Sequence, residues 1–220
     1  MTATSVFGPE PLRLPGGVSG LPREQVRASQ RQRLIHGVTL AVADKAWHAT
    51  TIRDITDRAG VSKKTFYEHF SDKLECFLAA YDHGATAILA EVNAASRAAW
   101  HLGAVAQYRA GTRAYLAFLQ REVPYARTFC LEMLAAGPQA AAHHRACRMA
   151  FAGSVGSWHA THLPQQPGWR PVTAFELEAA TGLVYEIASA RIAQGQAARL
   201  LEVLDDLVHT SLAVLGVRVP

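Results

Sequence analysis

The apolar positions of this chain fall into helical rhythm only from Arg23 onward. Residues 1–22 carry prolines at 9, 11, 15 and 22 and glycines at 8, 16, 17 and 20, with no sustained period, and predict a disordered N-terminal arm. Leu34, Val38, Ala41 and Val42 then recur at spacings of three and four, behind the polar run Arg27, Gln30, Arg31 and Arg33. That pattern predicts an amphipathic helix of about 20 residues. Thr51 is a capping residue, Asp54 suits the positive end of the helix it opens, and Ile52, Ile55 and Ala59 form a narrow buried stripe that Gly60 ends. Ser62 is placed to cap a third helix in which Phe66 and Phe70, an i, i+4 pair, face inward. Asp72 and Glu75 have the spacing of a capping box at the start of a fourth. Two very short helices split by Gly60-Val61 are what a helix-turn-helix needs.

Beyond Leu74 the chain is rich in alanine and leucine and sparsely punctuated, and it predicts six long helices. Their spans are 72–95, 102–122, one opened by Pro124 and ended by Gly137-Pro138, one from there to 159, then 174–194 and 197–215 on either side of Gly195. Leu163 to Pro171, with three prolines and a glycine, is the one long loop. The fold class is therefore all-α: a disordered arm at 1–22, a three-helix helix-turn-helix domain at 23–71 and a six-helix body at 72–220. The last two helices carry Phe175, Leu183, Val184 and Ile187, then Leu201, Leu204, Leu207, Leu212 and Leu215, more apolar surface than one face holds. A second copy of the chain is the cheapest cover for the excess, and Leu204 and Leu207 are the expected contacts of a homodimer.

Composition narrows the class. Half of the 220 residues are apolar, enough for a substantial core. No stretch reaches the run of about 18 apolar residues that a membrane span requires, and the first twenty residues lack a signal-peptide layout, so no membrane partner and a cytoplasmic location are expected. Cys76, Cys130 and Cys147 are odd in number and irregularly spaced, which favours buried free thiols over disulfides or a thiolate metal site. Charge is uneven: residues 1–73 hold 11 Lys+Arg and 7 Asp+Glu, a balance of +4, whereas residues 74–220 hold 11 of each. A basic head on a neutral body fits a polyanion partner.

The third helix gives that partner a contact surface. At about 100° per residue, Lys64, Tyr67 and Glu68 lie opposite Phe66 and Phe70, and Lys63 and Thr65 stand at the exposed start. An amine on such a face reaches guanine O6 and N7 in the major groove, while Thr65, Tyr67, His69 and Lys73 suit phosphates and fix register. Glu68 opposes a polyanion and reads either as a solvated side chain or as an acceptor for cytosine.

The run Thr51-Ile-Arg-Asp-Ile-Thr-Asp-Arg-Ala-Gly-Val-Ser-Lys-Lys-Thr-Phe-Tyr-Glu-His-Phe-Ser-Asp-Lys-Leu-Glu resembles the DNA-binding signature of the TetR family of transcriptional regulators. The likeness extends from Gln25 to Leu78 and includes the aromatic Trp47; Ala46 departs from it, since the family usually has glycine there. The resemblance implies that Lys63 and Lys64 read bases, that Thr65, Tyr67 and His69 make phosphate or mixed contacts, and that Lys73 and Thr51 hold the backbone. It further implies a ligand-binding and dimerisation body, a four-helix interface from the last two helices, and repression at a palindromic operator in double-stranded DNA. Two recognition helices must then sit about 34–36 Å apart, or another whole turn of DNA. An effector needs only to bind one spacing better than another.

For the effector, the sequence offers Tyr115, Phe118, Phe129, Met133, Trp158 and Tyr185 as lining for a pocket that takes a small apolar or aromatic molecule, though for any one of them ordinary core packing is the better reading. Trp100 and Tyr108 belong to the same set, and Glu132, Glu186 and Arg191 are candidate polar anchors. His143-His144 and His159-x-x-His162 invite a metal reading, but no carboxylate or thiolate supports them at short spacing, and no metal or other cofactor is expected. An enzyme has no support: there is no Gly-x-Ser-x-Gly elbow, no phosphate-binding glycine loop and no His-Glu-x-x-His. The rival readings that remain are a DNA-binding protein of the same fold controlled by a protein partner instead of a ligand, and an activator.

Overall fold

The computed structural model describes residues 22–217, so the expected arm falls, Pro22 apart, outside the described residues. The elements are α1 (Arg23–Lys45), α2 (Ile52–Ala59), α3 (Lys63–His69), α4 (Lys73–Ala98), α5 (Ala104–Arg121), α6 (Val123–Leu131), α7 (Pro138–His162), α8 (Ala174–Ala193) and α9 (Leu204–Val214). Short 3-10 turns occupy Trp100–Leu102 and Leu163–Gln165, and a longer one at Ala197–Val203 runs into α9. Among the described residues there is no strand, and no helix is long and apolar enough to cross a membrane.

The head is built from its caps inward. Thr51 accepts from the Asp54 amide while the Asp54 carboxylate accepts from the Thr51 amide, a reciprocal box that fixes the start of α2. Gly60 ends α2 at φ 61°, a left-handed conformation that favours glycine, and Ser62 accepts from the Thr65 amide to start α3. Because the turn between these two caps is short, α3 leaves α2 with a defined angle and plugs Phe66, fully buried, against Leu34, Ile35 and Ile55 in one core. Burying such a ring contributes about 1.5–3 kcal/mol. Gly37 lets α1 and α2 touch: a Cβ there would stand 2.8 Å from the Ile55 carbonyl oxygen.

The body packs α5 at its centre against α4, α6, α9 and the Ala197–Val203 turn, with α7 and α8 paired on the far side. Head and body share one apolar core, since α1 packs on α4 and α6 as well as on α2. Several expectations change here. Gly137-Pro138 does not end the sixth helix; α6 stops at Leu131, and the pair instead opens α7, with Gly137 at φ 101° as cap and Pro138 in the first turn, where its missing N–H costs nothing. Asp72 caps α4, but Glu75 reaches one residue further back, to the Ser71 amide and hydroxyl. Leu204 and Leu207, the expected dimer contacts, are each 3 % exposed and pack inside their own protomer, and the outward side of α9 carries Asp205, Asp206, His209 and Thr210. The wide stripe of the terminal segment reflects its burial between α5 and α8.

Candidate functional site

On α3 the burial of Phe66 and Phe70 decides what faces out. Lys63, Lys64, Tyr67 and Glu68 are exposed, and Thr65 and His69 are half-buried at the edges of that face. The Tyr67 ring is held edge-on to Phe66, with centroids 5.5 Å apart, and the Lys63 ammonium lies 5.9 Å from the Tyr67 centroid. Thr65 shares a 2.9 Å hydrogen bond with Ser62, and His69 bonds Gln30 of α1 at 3.3 Å through Nε2. Burial, with Arg27 and Arg31 nearby, holds the His69 pKa below its usual value, so the ring is neutral near pH 7. Thr51 stands exposed at the start of α2, its hydroxyl engaged with Asp54.

Lys73 is placed differently from the others. Its ammonium donates to the carbonyls of Trp47 and Thr50, both at 2.8 Å, and sits 3.9 Å above the Trp47 ring. It therefore ties the start of α4 to the turn after α1, and two of its three N–H groups are committed before any phosphate arrives. That turn is bound from the body as well, because the Trp47 amide donates to the Glu132 carboxylate at 2.9 Å. Within it Ala46 adopts φ 64° and ψ 165°, a region nearly reserved for glycine.

The body holds a cavity of about 150 Å³ lined by α4, α5, α7 and α8, with α6 on its head side. Tyr115, Phe129, Trp158 and Tyr185 line it, together with Tyr108. Phe118 and Met133 do not: both are fully buried in the core outside the lining. Most of the wall is apolar or aromatic, and the polar groups on it are few. Tyr81 and His144 share a 2.8 Å hydrogen bond, and burial pushes the His144 pKa down to about 4, which leaves it uncharged. Burial also pushes the Cys130 thiol up to about 12 and the Cys147 thiol upward, so neither is a thiolate. Arg148 contributes the one formal charge, and no Asp or Glu lines the wall.

Residues 41–80 match the family model of bacterial regulatory proteins of the tetR type. That segment, the helix-turn-helix head, is of the tetR type. The head is 42 % identical over 59 residues to the HTH-type transcriptional activator FasR of Mycolicibacterium smegmatis, a match that covers 27 % of this chain and only a quarter of that protein. The whole fold is similar to the fatty acid degradation regulator FadR of Bacillus halodurans, with a TM-score of 0.75 at 11 % identity over 83 % of this chain and 94 % of the other. FadR of Bacillus subtilis, solved in complex with stearoyl-CoA, gives 0.70 at 12 % over 84 % and 98 %.

The recognition-helix residues lie together on one face, whereas the residues that tie head to body escaped the sequence reading. Glu132, a candidate anchor that is equally readable as a paired side chain, accepts from the Trp47 amide and lies outside the cavity lining. Thr128 donates to the Thr39 carbonyl at 2.8 Å, a second bond from α6 to α1. The cavity residues Tyr81, His144 and Arg148 were also missed, because a phenol, an imidazole and a guanidinium scattered over α4 and α7 have no spacing signature. The histidine pairs are dispersed: His143 bonds Asp82, His144 bonds Tyr81 and His162 bonds Gln107.

Proposed function

We propose that this chain is a DNA-binding transcriptional regulator that acts as a homodimer, occupies a palindromic operator as a repressor and leaves it when a small molecule fills the body cavity. The observation that carries the reading is the outward face of α3, where Lys63, Lys64 and Tyr67 are exposed while Phe66 anchors the helix from behind. Such a face enters a major groove, and two of them in a dimer impose the half-site spacing. The second copy finds its surface on α8. There Phe175 is 79 % exposed, and Ala179 and Ala190 lie on the same side of the helix as small residues that let another helix approach.

A ring stack supports the coupling of cavity to head. Phe129 on the cavity wall lies 5.0 Å from Phe77, and Phe77 lies 4.7 Å from Trp47, whose carbonyl and amide hold Lys73 and Glu132. A ligand that displaces Phe129 shifts the turn from which α2 and α3 depart, and needs only to favour one head spacing over the other. Activation is the second reading, favoured by the head's likeness to the activator FasR of Mycolicibacterium smegmatis. Selection of bound sequences from random duplex DNA tests the proposal. Enrichment of an inverted repeat whose half-sites are one or two helical turns apart supports it, and failure to enrich any sequence contradicts it. Transcription from the selected site in cells with and without the protein then separates repressor from activator.

A further inference from the structure

The cavity contains an uncompensated charge. Arg148 on α7 lies with its guanidinium carbon 5.0 Å from the Tyr185 centroid, and its Nη2 occupies the gap left by a missing side chain: a Cβ on Gly182 of α8 would stand 2.9 Å from it. The position is thus held from two sides, by a ring and by a glycine that makes room. Among the described residues no carboxylate pairs with Arg148, although Arg109, Arg121, Arg170 and Arg199 all have acidic partners. The remaining titratable groups on the wall supply no negative charge. Burial holds the phenols of Tyr81, Tyr115 and Tyr185 and the thiols of Cys130 and Cys147 protonated, and His144 is neutral. A half-buried cation facing an apolar cavity is costly unless an anion joins it.

Resting on the reading of this cavity as the effector site, we infer that the effector is an amphiphilic carboxylate, with a compact apolar or aromatic body in the cavity and its carboxylate on Arg148. The guanidinium offers a planar fork of donors that matches a carboxylate in two parallel hydrogen bonds. The small free volume, of the order that admits a benzene ring in an engineered apolar cavity, favours a body of one ring or a short chain. Ser96, Asn93 and Gln107 stand on the α4–α5 part of the wall, Asn93 bonded to Ser154 and Gln107 to His162 of α7, where a second polar group of the ligand finds partners.

The test is calorimetric titration of the full chain, and of Arg148→Met, with two matched pairs: octanoate against octan-1-ol, and 3-phenylpropionate against 3-phenylpropan-1-ol. In the parent protein the acid of at least one pair should bind ten-fold or more tightly than its alcohol. In Arg148→Met that preference should vanish while the alcohol still binds, which also shows that the variant is folded. Equal binding of acid and alcohol by the parent, or an acid preference that survives in Arg148→Met, overturns the carboxylate inference and leaves the cavity standing as an apolar ligand site. Failure of all four compounds to bind the parent overturns the inference together with the effector-site reading on which it rests.

Discussion

Lys64 and Ala46 carry opposite kinds of information. Lys64 is exposed at the first turn of α3, and a lysine so placed donates to guanine O6 and N7. Replacing it by alanine is expected to relax discrimination at the contacted base pair by about 1–3 kcal/mol, read as the affinity ratio of a panel of operator variants; an unchanged preference removes it as a reader. Ala46, by contrast, sits at φ 64°, ψ 165°, where a Cβ is strained, and four contacts hold the turn around it: Thr50 and Lys73 on its carbonyls, Glu132 on the Trp47 amide, and the ring of Phe77 on Trp47. Strain there is of the order of 1–3 kcal/mol, against about 0.5–1 kcal/mol for the extra chain entropy of glycine. Ala46→Gly should therefore raise the melting temperature by a few degrees, at about 2–4 °C per kcal/mol for a chain of this size, and a fall would show that the turn is relaxed. The sequence exposes both residues, one by its place on a helical wheel and the other as a departure from family habit. Lys73 was legible only in part, because its two carbonyl partners lie 23 and 26 residues away and no local pattern announces them.

At the scale of the element, capping chemistry located α2, α3 and α4 almost to the residue, since Thr51, Ser62 and Asp72 accept from amides three positions on and the Gly60 amide donates to a carbonyl four positions back. Long-range packing was not legible. Gly84 reads as an unremarkable break in an alanine-rich helix, yet a Cβ there would overlap the Tyr125 ring at 1.8 Å, so it sets the approach of α6 to α4 and the shape of the cavity floor. The apolar run at Leu204–Leu215 pointed to a dimer surface, whereas those leucines fill the protomer and the uncovered apolar side belongs to α8. An arginine at Ala179 should give monomers in light scattering and weaken operator binding more than ten-fold, while a charge at Leu207 should instead unfold the chain. A dimer that persists in Ala179→Arg places the interface elsewhere.

The whole molecule behaves as one core with two faces, and its pH response follows from the histidines that core absorbs. Burial lowers the pKa values of His69, His144, His159 and His162, that of His144 to about 4. Below about pH 6.5 the unfolded chain binds these protons and the native chain does not, so stability falls as the pH drops from 6.5 toward 4 and is flat above neutrality. Carboxylates held low, such as Glu176 at about 2 beside Arg170, lose their contribution only under stronger acid. Thermal unfolding across pH 4.5–8 checks this, and a melting temperature that rises on acidification would contradict it.

A DNA-reading face on α3, doubled in a dimer, makes binding depend on both sequence and salt. The most direct test is the affinity of the full chain for duplex DNA from just upstream of its own coding region, measured at two salt concentrations beside an unrelated duplex of equal length. Tight binding to the first, weak binding to the second and a log-log salt slope of several units are expected, since each phosphate neutralised contributes about −0.9. Equal, weak binding to both would contradict such a face.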